Sequence, residues 1–371
     1  MSLIYYIIIF LLAFGSIQEV SRDQQLDKSY YQLTLAVMML TAGLGYNLSP
    51  DWLAYYNAFY ASGELLYLSE VHMFAKMVGM ESGYVYMNRL FYKLGFDFGI
   101  VSLVLVIISL SLKFSTLKRY SAYPMLALFM YTVPNFFFEE HIHIRQGIAT
   151  AICLYSVRYV LDRKFWKFML CLVIAYQFHQ SSMVFFLAYW LVRVRISTPL
   201  IGVFVGMAIV ANYTGLTSVI DAIMEVMPIG QEKFEAYESD LYKSGGVAVG
   251  DIVKIITVVL IMIYNKAVEH DKNYVAFRNL FLMGVMLYFF LGRGIFGIRL
   301  PGYYLVFLGL VVCSILYNIK DRVFEKNLVF NTFFCYTIAL FFWFQLKQAH
   351  KTNFNNYSTI FSSESIYGLW R

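Results

Sequence analysis

Arg145 and His179 are the two side chains of this sequence best suited to joint chemistry, an obligate cation and a ring that titrates near neutrality. They flank a hairpin-like stretch, EEHIHIRQGIATAICLYSVRYVLDRKFWKFMLCLVIAYQFHQSS (139–182), in an otherwise oily chain. Residues 146–161 are apolar enough for one short membrane span of roughly 24 Å, at about 1.5 Å per residue. Asp162, Arg163, Lys164 and Lys167 then make a basic turn, and residues 168–176 run back. Arg145 and His179 therefore belong to one membrane face. A guanidinium there suits phosphate, because its planar fork bonds two oxygens and stays charged. An imidazole with an unperturbed pKa of about 6.5 can take a hydroxyl proton near neutrality.

The same face collects Asp51, Glu81, Glu139, Glu140, His141, His143, Gln146, Arg293, Arg299 and Lys351. Arg145, Arg293 and Arg299 are the candidates for holding an anionic head group. The plainer account of each is snorkelling to lipid phosphates or pairing with Glu139 and Glu140. For His179, followed by Gln180, Ser181 and Ser182, the plainer account is a hydrogen-bonded packing residue. His141 and His143 lie two apart and suit neither one helix face nor a metal pair, so HIHIR carries no metal assignment. Asp51 and Tyr55 fall at i and i+4 on one face of the aromatic run DWLAYYNAFY. Rings beside a carboxylate form sugar-binding surfaces, and an interfacial aromatic belt accounts for the same tyrosines. GxSxG and P-loop signatures are absent, which argues against hydrolase and nucleotide chemistry.

These residues must be positioned by membrane helices. The chain is 60% hydrophobic and 14% charged, whereas soluble domains use about 45–50% apolar residues. Runs such as VSLVLVIISLSL and IVKIITVVLIMI are continuously apolar, which favours helices over the alternating strands of a barrel. The expectation is an all-α polytopic membrane protein, a single integral domain over 1–371 with about twelve transmembrane helices. Residues 3–17 are read as the first helix. Residues 31–45, 98–112, 124–138, 146–161, 168–176, 182–192, 199–213, 252–264, 274–291, 303–317 and 329–346 supply the others. Two polar segments, about 47–96 and 217–250, and a polar tail, 347–371, lie between or beyond them.

The net charge of +6 is spread over short turns, so it reports topology and does not form a nucleic-acid patch. Arg22 and Lys28; Lys113, Lys118 and Arg119; Arg163, Lys164 and Lys167; Arg193 and Arg195; Lys266, Lys272 and Arg278; and Lys320, Arg322 and Lys326 fall on every second connection. The positive-inside rule makes these turns cytoplasmic, and the Arg145 and His179 corners external, or periplasmic in a Gram-negative cell. Cys153, Cys171, Cys313 and Cys335 lie within apolar spans, without metal-ligand spacing. No metal or other cofactor is expected.

IRQGIATAICLYSVRYVLDRKFWKFMLCLVIAYQFHQSS resembles the central signature of the EpsG/Wzy family of bacterial polysaccharide polymerases, an Arg-Gln-Gly-x-Ala hairpin followed by His-x-Ser. DWLAYYNAFY, ESGYVYMNRLFYKLG, GIRLPGYYL and NFNNYSTIF are similar, in order, to its weaker segments. The resemblance implies a GT-C-like, metal-independent glycosyltransferase of the inner membrane with its active site facing the periplasm. Such an enzyme polymerises undecaprenyl-pyrophosphate-linked oligosaccharide units into O-antigen or capsule. Carried onto this chain, Arg145 and Arg299 would hold the donor pyrophosphate. His179, or else Asp51 or Glu139, would deprotonate the acceptor hydroxyl, with inversion at the anomeric carbon. Gln146, Tyr303 and Tyr357 would position sugars, with Tyr55 as a further candidate from the aromatic run. The implied partners are the lipid-linked oligosaccharide, membrane lipid, a chain-length regulator and a flippase, and no nucleic acid.

Two other readings share the donor. A lipid-linked oligosaccharide transporter would place charges near mid-membrane in both halves, whereas the candidates here cluster at external corners. An O-antigen ligase differs only in the acceptor.

Overall fold

The computed structural model describes residues 1–214, 249–292, 295–348 and 352–362. Arg293, Lys351, the segment about 217–250 and the end of the tail therefore lie wholly or largely outside the described residues. Among these described residues the fold is all-α apart from one two-residue strand pair. It divides into two units, Met1–Met183 with Ile319–Arg371, and Val184–Asn318.

The first unit opens with α1 (Leu3–Arg22) and α2 (Lys28–Gly43). α1 outlasts its apolar run because Glu19 is fully buried and used. Tyr31 OH donates to one of its oxygens at 2.5 Å, and the Met125 N–H donates to the other at 2.7 Å. The second contact gives a carboxylate cap to the helix that starts at Pro124. The polar stretch expected over 47–96 folds into three helices: α3 (Pro50–Glu64), α4 (Glu70–Met77) and α5 (Ser82–Lys93). α3 starts on a Ser49 cap, whose hydroxyl accepts from the Trp52 N–H at 3.2 Å.

α6 (Phe98–Tyr120) is longer than the expected span. Lys113, expected in the cytoplasmic turn after it, lies inside the helix and is fully buried. α7 (Pro124–Tyr131) is only eight residues long, where one span was expected over 124–138. It runs into a wide π-type turn, Thr132–Glu140, in which Val133 leaves helical geometry at φ −115°, ψ 116°. The cause is local, since Pro134 disfavours the helical region for the residue before it. The turn brings Glu139 and Glu140 inward, to Lys113.

The hairpin follows as expected: α8 (Ile144–Leu161), a tight turn with Arg163 at φ +58°, and α9 (Phe165–Phe178). Ile319–Arg371 adds α16 (Val323–Gln348) and a strap over 352–362. In the strap β2 (Ser358–Thr359) pairs antiparallel with β1 (Gly45–Tyr46). Phe354 O accepts from the Ser2 N–H at 2.9 Å, and the Asn353 N–H donates to Leu48 O at 3.0 Å.

The second unit contains α10 (Ala188–Leu191), α11 (Thr198–Tyr213), α12 (Val249–Val268), α13 (Lys272–Phe290), α14 (Ile295–Leu305) and α15 (Leu308–Asn318). A buried polar knot holds it. Arg278 donates to Asn265 at 2.5 Å and to Asn279 at 2.9 Å, and Asn279 caps Leu191 O and Val194 O at 2.8 Å each.

Among the described residues, five segments are long and apolar enough to cross a membrane: Leu3–Arg22, Phe98–Tyr120, Lys272–Phe290, Arg299–Asn318 and Val323–Lys347. Phe165–Phe178 and Thr198–Asn212 are apolar but shorter. The protein is an all-α membrane protein.

Candidate functional site

The end of the hairpin that carries Arg145 and His179 depends on two glycines. A Cβ on Gly147 would overlap the backbone carbonyl of Glu139, so only glycine lets the π-type turn lie against the first turns of α8. A Cβ on Gly83 would overlap the Gln177 side chain, so only glycine lets the start of α5 lie against the end of α9. The first approach sets the corner that carries Arg145. The second brings Glu81 to both arms of the hairpin.

Arg145 lies in the first turn of α8, with its side chain 16% exposed and ion-paired to Glu81. Its guanidinium sits over the Tyr55 ring, 5.4 Å from the centroid, and near the Tyr84 ring at 5.9 Å. Cation–π contact of this kind is worth about 0.5–2 kcal/mol. Trp52, Tyr55, Phe59, Tyr84, Phe98 and Ile144 form the apolar bed below it, with Phe178 packed alongside. Burial raises the Tyr84 phenol well above its usual range, so that ring stays neutral.

The second oxygen of Glu81 accepts from the Gln180 N–H at 3.1 Å. Glu81 thus links Arg145 to the residue after His179. The two corners are joined by a chain of contacts: Arg145, Glu81, then the 179–182 segment. His179 caps the end of α9, and Ser181 Oγ lies 2.5 Å from its Nδ1.

Asp51 and His143 complete the rim. Asp51 Oδ2 is 3.5 Å from His143 Nε2, with both side chains partly exposed, and the His143 ring stacks on Phe138 at 6.0 Å. His141 faces inward among Tyr5, Phe136, Phe137 and Phe354. Burial there pushes its imidazole down to about 4, so it is neutral at physiological pH and suited to packing.

Glu139 and Glu140 lie beneath this rim. Lys113 Nζ is 2.7 Å from Glu139, 2.6 Å from Glu140 and 2.7 Å from Tyr131 OH, all in the interior. Ser109 Oγ adds a bond to Glu140 at 3.0 Å and one to Gly147 O at 3.3 Å. The possible partners of Arg145 named from sequence are therefore committed to Lys113, and Glu81 takes their place.

Gln146 is buried on α8, next to Arg145. Tyr357 donates its hydroxyl to Thr41 O at 2.9 Å, as part of the strap. Tyr303 is fully buried and Arg299 partly buried, both on α14 in the second unit.

Sequence reasoning named Glu81 only among the outer polar residues, and the glycine two places on was its available signal. Lys113 and the Asp51–His143 pair gave none. In the second unit it also passed over Asp251, which accepts from Tyr288 OH at 2.7 Å, and Lys254, whose ammonium lies 3.8 Å from the Tyr288 ring. Among the described residues, no cluster of three or more His, Cys, Asp or Glu side chains is placed to hold a metal ion.

A family model described as the EpsG family matches residues 30–359. Neither a curated protein nor a solved structure matches the chain.

Proposed function

The chain belongs to the EpsG family, and from that premise we propose that it is a glycosyltransferase that polymerises lipid-pyrophosphate-linked oligosaccharide units at the periplasmic face of the inner membrane. The observation that carries this reading is the Arg145 seat, a guanidinium at the outer end of α8, bedded on tyrosines and next to the His179 corner.

In the proposed reaction Arg145 bonds the donor's pyrophosphate and stabilises the charge that grows on it as the anomeric C–O bond breaks. A hydroxyl of the acceptor unit forms the new C–O bond from the opposite side, and its proton passes to His179, whose ring Ser181 orients. The leaving group is undecaprenyl pyrophosphate. Asp51 with His143 is the competing base, because a carboxylate beside an imidazole stabilises the imidazolium that forms. Glu139, locked to Lys113, is assigned the structural role of holding the corner. Arg299 is the proposed second cation for the donor, and Tyr55, Gln146, Tyr303 and Tyr357 the proposed sugar-positioning residues.

A strain lacking the chain tests the activity. The expected surface-polysaccharide gel keeps a single repeat on its acceptor and loses the ladder. Loss of every repeat would instead identify a flippase or ligase, and an unchanged ladder would end the proposal. Within the site, Arg145→Ala is expected to abolish chain growth while the protein stays at its normal level in the membrane. His179→Ala and His143→Ala then discriminate between the two bases, since only the true one removes elongation.

A further inference from the structure

Glu81 is an unusual partner for Arg145. A carboxylate that serves only to neutralise an arginine presents both oxygens to its fork, two parallel N–H···O bonds. Glu81 instead divides its oxygens, one to Arg145 Nη1 and the other to the Gln180 N–H. Arg145 Nη1 reaches the Gly79 carbonyl only at 3.4 Å, and the guanidinium also hydrogen-bonds the Tyr55 side chain. Its Nε is buried and has no hydrogen-bond partner among the described residues. A guanidinium with five N–H donors is therefore incompletely used, and a buried unsatisfied charged donor costs free energy. A phosphate has more acceptor oxygens than a carboxylate and can reach Nε and Nη together. While Glu81 stays, the same phosphate would meet a like charge.

We infer that Glu81 is a resident stand-in anion, which holds the Arg145 guanidinium and the Gln180 amide in place while the site is empty and is displaced from Arg145 by the phosphate of an incoming pyrophosphate ester. The inference rests on the reading of Arg145 given above and adds its regulation. The Gln180 amide keeps the displaced carboxylate close, so that it returns when the pyrophosphate leaves. Glu81 is thus a positioning residue: it prevents free anions from filling the seat and promotes release of the pyrophosphate-bearing product.

The test uses the full-length chain in phosphatidylglycerol-containing nanodiscs with inorganic pyrophosphate as probe. Glu81→Gln keeps the shape and an acceptor for Gln180 but removes the charge. It is expected to bind pyrophosphate at least about tenfold more tightly than the wild type, equivalent to about 1.4 kcal/mol. Glu81→Asp, which keeps the charge, is expected to stay within a few-fold of wild type. Arg145→Ala should abolish binding in either background. If Glu81→Gln is itself less stable, pyrophosphate should raise its unfolding midpoint more than that of the wild type, since a ligand stabilises the form it binds. Equal or weaker binding by Glu81→Gln, with no larger midpoint rise, overturns the stand-in role while leaving Arg145 as the seat. Binding that survives Arg145→Ala, or no binding by any form, overturns both.

Discussion

Two ion-pair clusters share the corner between α7 and α8, and they are built on opposite plans. Around Lys113 the side chain is fully enclosed, two carboxylates and a tyrosine hydroxyl converge on one ammonium, and Ser109 ties the group to the backbone of α8. Around Arg145 the pair is partly exposed, the carboxylate is shared with a second donor, and one guanidinium nitrogen has no partner among the described residues. Desolvation is costly in both, and only the first repays it with saturated bonding. On the proposed reading, the difference separates a charge kept for architecture from a charge kept for a ligand. Position in the sequence does not separate them, because Glu139, Glu140 and Arg145 lie within one short run.

The strongest attack on this comparison is Lys113→Met. It leaves two carboxylates buried with no counter-charge and is expected to cost about 3–5 kcal/mol, read as loss of folded protein in membranes and a lower unfolding midpoint in detergent. Adding Glu139→Gln and Glu140→Gln to the same chain is expected to recover most of that stability and restore chain growth. Stability recovered without chain growth would give Lys113 or its carboxylates a part in the reaction and erase the distinction. Gly147→Ala comes next. The new methyl meets the Glu139 carbonyl, so about 1–3 kcal/mol of stability should be lost, together with elongation, because the corner carrying Arg145 must move. The smallest effect is expected at a third pair, Lys164 with Asp162 at 2.7 Å in the hairpin turn, where the side chains are 51% and 41% exposed. Asp162→Asn should leave both the unfolding midpoint and the ladder unchanged, as solvated pairs contribute little.

The hairpin was legible because every signal for it is local. An apolar run of span length, a basic turn and a second run place α8 and α9 to within about three residues, and the turn's charges are solvated as their sequence neighbours suggest. Lys113 was misplaced for the same reason. It precedes Lys118 and Arg119 and so looks like the start of a cytoplasmic turn, while the carboxylates that justify its burial lie well along the chain, past a break that Pro134 causes. The polar stretch before α6 could be recognised as amphipathic. Its division into α3, α4 and α5 depends on tertiary contacts such as Gly83 against Gln177, which a single sequence does not encode visibly. Arg145 and His179 are singled out by residue type and by the membrane face expected for them. Glu81, which joins them, required the fold.

The strap bears on how the protein is made. Gly45 pairs with Thr359, and Ser2 with Phe354 and Asn355, so segments translated before the hairpin are completed by segments translated after it. Until residues 352–362 have been synthesised and have docked, the β1 edge and the inward-facing His141 ring lack their cover. A ribosome that stalls after α16 would release a chain with its hairpin formed and this end of the first unit uncovered, with an unpaired strand edge of the kind membrane proteases or chaperones recognise. Docking of the strap therefore marks the stage at which this face of the first unit is closed.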